Sequence, residues 1–187
     1  MERTVEHHGM MKTYLEIQVP LRYDANWFQN LRSVCQNFLV KWQTGYYHIT
    51  MAFLDDTPKD VDLRPILDRH MAKLDAPTLT FDKLDVFTTN SGMHIIHLTA
   101  TDVPQNFLSA IDNVRKDMKA VGCWIESDFR LHVTLGRVIN PYLNLKTIQT
   151  LVDKVSFPMF SLTLTDVDYR VFRGKMLYVT KLTDKHA

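Results

Sequence analysis

Two stretches of this chain place a histidine and, two residues later, a threonine inside runs that otherwise read as buried strands. They are YYHITMAFLDD over Tyr46–Asp56 and RLHVTLGRV over Arg130–Val138. His48 and His132 lie 84 positions apart, and other features keep nearly the same step. Leu79 and Leu162 open the similar runs LTFDKLD and LTLTDVD, 83 apart. Asp62 and Asn144, each a candidate helix N-cap, are 82 apart. A step of this size implies an internally repeated unit of strand, helix, strand, helix and strand. Neither unit closes a core alone, so two such units predict an α+β fold with two lobes. The expected architecture has antiparallel sheets facing a central cleft and helices on the outer faces. It forms a single domain over residues 1–187, with repeats roughly at 12–92 and 93–182.

Periodicity supplies the elements. Lys12–Val19 reads as the first strand. Asp24 is a candidate N-cap, followed by a helical stripe of Trp27, Phe28, Leu31, Val34, Cys35, Phe38, Leu39 and Trp42. A second helix follows Asp62, with Pro65 tolerated in its first turn. Leu79–Phe87 and Leu162–Arg170 each read as one strand, and Met93–Ala100 as the strand that opens the second unit. Pro104 suits the first turn of a helix carrying Phe107, Leu108, Ile111, Val114, Met118 and Val121. A turn around Arg173 and Gly174 leads to a last strand, KMLYVTKL.

Residues i and i+2 of a strand share a face. His48 and Thr50 therefore point one way, with Ala52 beyond them, and His132 and Thr134 point one way, with Gly136 beyond. The alternate positions, Tyr47, Ile49, Met51 and Phe53 in one strand and Leu131, Val133 and Leu135 in the other, suit packing under helices. The His-Thr faces are expected to line the cleft, where small Ala52 and Gly136 leave room for a ligand. Two facing imidazoles act as base and acid at neutral pH. Two hydroxyls hold the non-bridging oxygens of a phosphoryl group and favour its charge-rich transition state. Such a site suits attack on a phosphodiester and needs no cofactor or metal. A third match, His97-Leu98-Thr99, lacks a counterpart in the first unit and reads as a buried histidine bonded to backbone. His70 falls on a helix with no evident partner. Among flanking residues, Arg130 shares the His132 face, Arg137 falls on the opposite one, and Tyr178 on the last strand is a candidate to line the cleft. Arg173 and Lys175 read as solvated. Tyr46, Trp124, Phe129 and Tyr142 are candidates to stack a base.

The net charge of +1 asks for no long nucleic acid, and a small anionic ligand or an RNA end needs only a local cationic cleft. Cys35 and Cys123 have neither zinc spacing nor a disulfide framework, which fits a reducing, cytoplasmic setting. No apolar run approaches membrane-span length. Residues 1–11 have no signal-peptide core and are expected to be poorly ordered. No coiled-coil heptad asks for an obligate partner, so a monomer is expected.

The paired motifs, and their place in a duplicated unit, resemble the two-histidine phosphoesterases, in the group that holds RNA-ligase-like proteins and RNA 2′,3′-cyclic phosphodiesterases. The resemblance runs from about Lys12 to Leu182. It implies that His48 and His132 are catalytic and that Thr50 and Thr134 bind phosphate. Met51 stands where leucine is usual, Asp55 where glycine is familiar, and Leu131 where proline is common before the second histidine. None of these departures removes a catalytic atom. The implied activity is hydrolysis of cyclic or 2′-linked phosphodiesters of RNA or nucleotides, foremost a 2′,3′-cyclic phosphate opened to a 2′-phosphate. A 2′,5′-oligoadenylate phosphodiesterase, a binding module for a nucleotide or RNA end, and a metal hydrolase using His48, His97 and His132 are the competing readings.

Overall fold

The computed structural model describes residues 10–140 and 142–184. Two four-stranded antiparallel sheets carry the architecture. One has the order β10 (Met176–Lys181), β9 (Asp166–Val171), β1 (Met10–Val19), β3 (Tyr47–Pro58). The other has the order β2 (Val40–Trp42), β7 (Val133–Val138), β6 (His94–Thr99), β5 (Lys83–Thr88). A third pairing, β4 (Thr78–Phe81) with β8 (Phe160–Thr163), joins the two units, with Leu79 opposite Leu162 and Phe81 opposite Phe160.

The strand order repeats with an exchange. β9–β1–β3 in one sheet matches β5–β6–β7 in the other, so each unit lends its last long strand to the other unit's sheet. The helices follow the same rule. α2 (Arg64–Met71) and α3 (Gln105–Ala120) pack on each other and on the sheet holding β3 and β10. α1 (Asn26–Val34) and α4 (Leu145–Val152) pack on each other, α4 against β5 and Phe28 of α1 against Trp42 of β2. This arrangement buries Leu15, Ile17, Ile49, Leu54, Phe28, Phe81 and Phe107 completely. The other face of each sheet is left for the cleft.

Several expectations change. The first strand begins at Met10, because Met10 and Met11 pair with Pro58 and Thr57; residues 1–9 of the segment expected to be disordered lie outside the described residues. Ala25 rather than Asp24 precedes α1, and the helix ends at Val34. Leu39 is exposed and Trp42 belongs to the edge strand β2, since Val40, Lys41 and Trp42 find backbone partners on β7. The runs over Leu79–Phe87 and Leu162–Arg170 each divide into two strands in different sheets, parted at Asp82 and at Leu164–Thr165. Asn144 does cap α4, its Oδ1 accepting from the Thr147 N–H at 2.9 Å. His70 has a partner, Asp117 of α3, at 2.6 Å.

Candidate active site

Both histidine strands bend where the sheet counts change. In β3 the register runs Glu16 opposite Thr50 and then Leu15 opposite Ala52, leaving Met51 as the extra residue of a bulge. In β7 it runs His97 opposite Thr134 and then Ile96 opposite Gly136, leaving Leu135 extra. A bulge puts two residues against one and reverses the alternation beyond it. Met51 and Ala52 are therefore both buried, as are Leu135 and Gly136. Phe53 and Arg137 swing onto the cleft face instead. Arg115 of α3 secures the first bulge, donating to the Met51 carbonyl at 3.1 Å and to the Ser127 carbonyl at 2.6 Å.

The cleft so formed has a volume of about 850 Å³. His48, Thr50, His132 and Thr134 all line it, with Arg130 and Arg137 beside them. Arg137 therefore corrects its expected place on the far face. Its guanidinium is oriented by Gln43, donating to Oε1 at 3.0 Å. Arg130 stacks on Phe87, 4.1 Å from the ring centroid. Arg173, read as solvated, lines the cleft from the turn after β9, held there at a φ of 51°. Among the described residues, none of these three arginines forms an ion pair with a carboxylate. The cleft is thus cationic although the chain is nearly neutral.

Tyr178 is not at the cleft. Its strand is the outer edge of its sheet, and its hydroxyl donates to Asp68 of α2 at 2.6 Å. Ala52 and Gly136 do not make room for a ligand either. Gly136 is small because Trp42 and Val40 cross above it, where a β-carbon would meet them at 2.7–2.9 Å. Of the flanking aromatics, Tyr46 and Phe129 line the cleft; Trp124 and Tyr142 are exposed elsewhere.

The two imidazoles differ in their surroundings. His132 stands just before β7, its Nδ1 donating to the Arg130 carbonyl at 2.8 Å. A carbonyl only accepts, so the neutral ring carries its proton on Nδ1 and presents a lone pair at Nε2. Behind it lie Phe87 and His97, with ring centroids 5.1 and 5.8 Å away. His97 is buried, its Nδ1 bonded to the Ile95 carbonyl at 3.1 Å. It packs behind a cleft residue rather than lining the cleft. His48 Nε2 lies 3.3 Å from Oε1 of Glu16, a carboxylate that is 2% exposed on β1 and that the sequence reading passed over. Tyr46 donates to the other oxygen of Glu16 at 2.9 Å, and Arg170 lies 3.8 Å from it. Burial holds both imidazoles at about 4, well below the ordinary histidine value, helped at His48 by Arg137, His132 and Arg170 and at His132 by His97, Arg130 and Arg137. Burial also pushes the Glu16 carboxyl up.

Among the described residues no three of His, Cys, Asp or Glu are grouped to hold a metal ion. The cleft brings together two imidazoles, which are able to take up and give protons, with two threonine hydroxyls and several guanidinium groups, which are able to hold an anion.

No family model matches the chain, and no curated protein sequence matches it. Solved structures do. TT0787 of Thermus thermophilus aligns over 94% of this chain and 100% of its own, with TM-score 0.62 and 18% identity. Usb1 of Kluyveromyces marxianus aligns over 91% and 98%, with TM-score 0.60 and 12% identity. LigT of E. coli in complex with 3′-AMP aligns over 94% and 100%, with TM-score 0.59 and 16% identity. The chain shares the fold of these proteins. At such identities the likeness is one of fold. No helix among the described residues is long and apolar enough to cross a membrane.

Proposed function

We propose that this protein is a two-histidine phosphoesterase, a single bilobal domain that hydrolyses cyclic or 2′-linked phosphodiesters of RNA or nucleotides without a metal. The favoured reaction opens an RNA 2′,3′-cyclic phosphate to a 2′-phosphate. The observation that carries the reading is the cleft in which His48, Thr50, His132 and Thr134 converge from symmetry-related strands. One imidazole takes the proton of water as the water oxygen attacks phosphorus; the other protonates the departing ribose oxygen. Thr50 and Thr134 donate to the non-bridging oxygens as charge builds on them. Arg130, Arg137 and Arg173 supply positive charge that forms no ion pair with a carboxylate among the described residues, which suits an anionic ligand carrying further phosphates. Related ligands occupy proteins of this fold: LigT of E. coli binds 3′-AMP, NADP+ and ATP, and Usb1 of Kluyveromyces marxianus binds uridine monophosphate.

Turnover in EDTA tests the reading. A short RNA ending in a 2′,3′-cyclic phosphate and a 2′,5′-linked triadenylate are supplied to the wild-type protein. Conversion of the first to a 2′-phosphate is expected. Conversion of the triadenylate alone moves the substrate to 2′,5′-oligoadenylate. Tight product binding without turnover of either means a binding module, and activity restored only by zinc means a metal hydrolase.

A further inference from the structure

The repeat makes the two halves of the site nearly interchangeable, and one pair of positions breaks the equivalence. Thr50 faces Glu16 across its bulge, and Thr134 faces His97 across the matching bulge. The residue behind one catalytic histidine is thus a carboxylate, and the residue behind the other is an imidazole. We propose that Glu16 is a positioning residue that holds a proton on His48 Nε2, making His48 the general acid and leaving His132 as the general base. The inference rests on the proposed hydrolysis for its direction and on the geometry for the choice of roles.

Three observations support it. First, His48 Nδ1 is buried with no hydrogen-bond partner among the described residues, so a proton that His48 delivers to the cleft leaves from Nε2, the atom that Glu16 approaches to 3.3 Å. Second, the Arg130 carbonyl fixes the neutral tautomer of His132 with Nε2 bare, the form a base requires. Third, the charges around the two rings differ in sign. Glu16 and Tyr46 face His48, with Asp168 and Arg170 of β9 beyond and Arg137 and His132 across the cleft. His97, Arg130 and Arg137 face His132; Asp85, which pairs with Lys83, reaches only as far as His97. Burial and the nearby cations oppose an imidazolium at both rings, but among the described residues only His48 has a carboxylate in contact. Burial raises the proton affinity of that anion and lowers that of the ring beside it, so one proton is shared between Glu16 and His48, an arrangement that His132 has no carboxylate in contact to make among the described residues.

In the balanced step, the water oxygen bonds phosphorus while the bond from phosphorus to the ribose 3′ oxygen breaks. The water proton passes to His132 Nε2, and the proton of His48 Nε2 passes to the departing oxygen. Glu16 stays ionised beside the neutral ring, held by the Tyr46 hydroxyl and Arg170, until solvent restores the proton.

The test is the pH profile of kcat/KM on the cyclic-phosphate RNA, with histidine titrations by NMR on the same proteins without substrate. For Glu16→Gln the alkaline limb moves to lower pH by about one unit or more, the acidic limb stays, and kcat at pH 8 falls about 10–100-fold. Tyr46→Phe, which removes a hydrogen bond from the ionised carboxylate, moves the alkaline limb the other way. In the NMR titration, wild-type His48 titrates above His132 and Glu16→Gln closes the gap. A Glu16→Gln profile that moves only on its acidic limb overturns the proposal, as does His48 titrating at or below His132 in the wild type. Absence of wild-type turnover instead removes the hydrolytic reading, and the NMR titration still decides the Glu16–His48 coupling.

Discussion

Replacing Gly136 with alanine adds one methyl at the most crowded backbone approach near the site. That methyl would lie 2.7 Å from Trp42 Cε3, 2.8 Å from Val40 Cγ1 and 2.9 Å from Trp42 Cζ3. Carbon atoms pack best about 3.5–4.0 Å apart, so each contact must open by nearly an ångström. An indole ring moves as a plate and Val40 has few rotamers, so relief has to come from β2 itself. That strand has only three residues, and Trp42 pairs directly with Gly136. Overpacking of this kind costs about 1–3 kcal/mol. For a domain of this size the melting temperature then falls by about 2–12 °C. The shift of β2 also carries Gln43, whose side chain orients Arg137, so KM for the cyclic-phosphate RNA rises while kcat changes little. Thermal unfolding followed by circular dichroism reads the first effect and steady-state kinetics the second. A double-mutant cycle with Trp42→Leu assigns the cause, since the alanine should cost less where the indole is absent. A melting temperature within 1 °C of wild type, at about the error of such a measurement, would refute the steric reasoning.

Other outcomes follow from single contacts. Asn144→Ala removes the side-chain acceptor for the Thr147 N–H and lowers stability by about 0.5–2 kcal/mol in chemical denaturation, without changing kcat. Burial holds His132 at about 4 in the folded protein, against an ordinary histidine value of about 6.5. The unfolded chain therefore binds the extra proton between those values, and stability is lost as pH falls from about 6.5 towards 4, by at most about 3 kcal/mol from this residue. His132→Gln flattens the dependence of melting temperature on pH over that window. Arg137→Ala raises KM about tenfold or more and weakens inhibition by added phosphate, because it removes a cleft cation that forms no ion pair among the described residues.

What the sequence made legible was local or repeated. The His-Thr pairs, the common step between units, the Asn144 cap and the alternation around Ile49 and Val133 follow from spacing alone. The cleft positions beyond the motifs did not. A period of two sends Arg137 away from His132 and Ala52 towards the ligand, and one extra residue in each strand reverses both. Such a bulge is set by the partner strand, by β1 for β3 and β6 for β7, so it has no mark in the bulged segment itself. Leu79–Phe87 does carry a mark: its buried apolar residues fall at Leu79 and Phe81 and then at Leu84 and Val86, so the alternation changes phase at Asp82, where the two halves part into different sheets. Leu39 and Trp42 continue a helical stripe in one dimension, yet the backbone there satisfies its hydrogen bonds on β7. Glu16 carried a usable signal: a lone acidic residue in the apolar run YLEIQV. Within a duplicated fold, such a residue is worth aligning to its counterpart before it is assigned to solvent.

Single-turnover hydrolysis of the cyclic-phosphate RNA in EDTA, run side by side with wild type, His48→Ala and His132→Ala, bears on the proposed chemistry with the fewest intermediate assumptions. Loss of rate by about a hundredfold or more in each variant, with both still folded and still binding the 2′-phosphate product, is expected if the two imidazoles carry the two proton transfers. Full activity in either variant would contradict it.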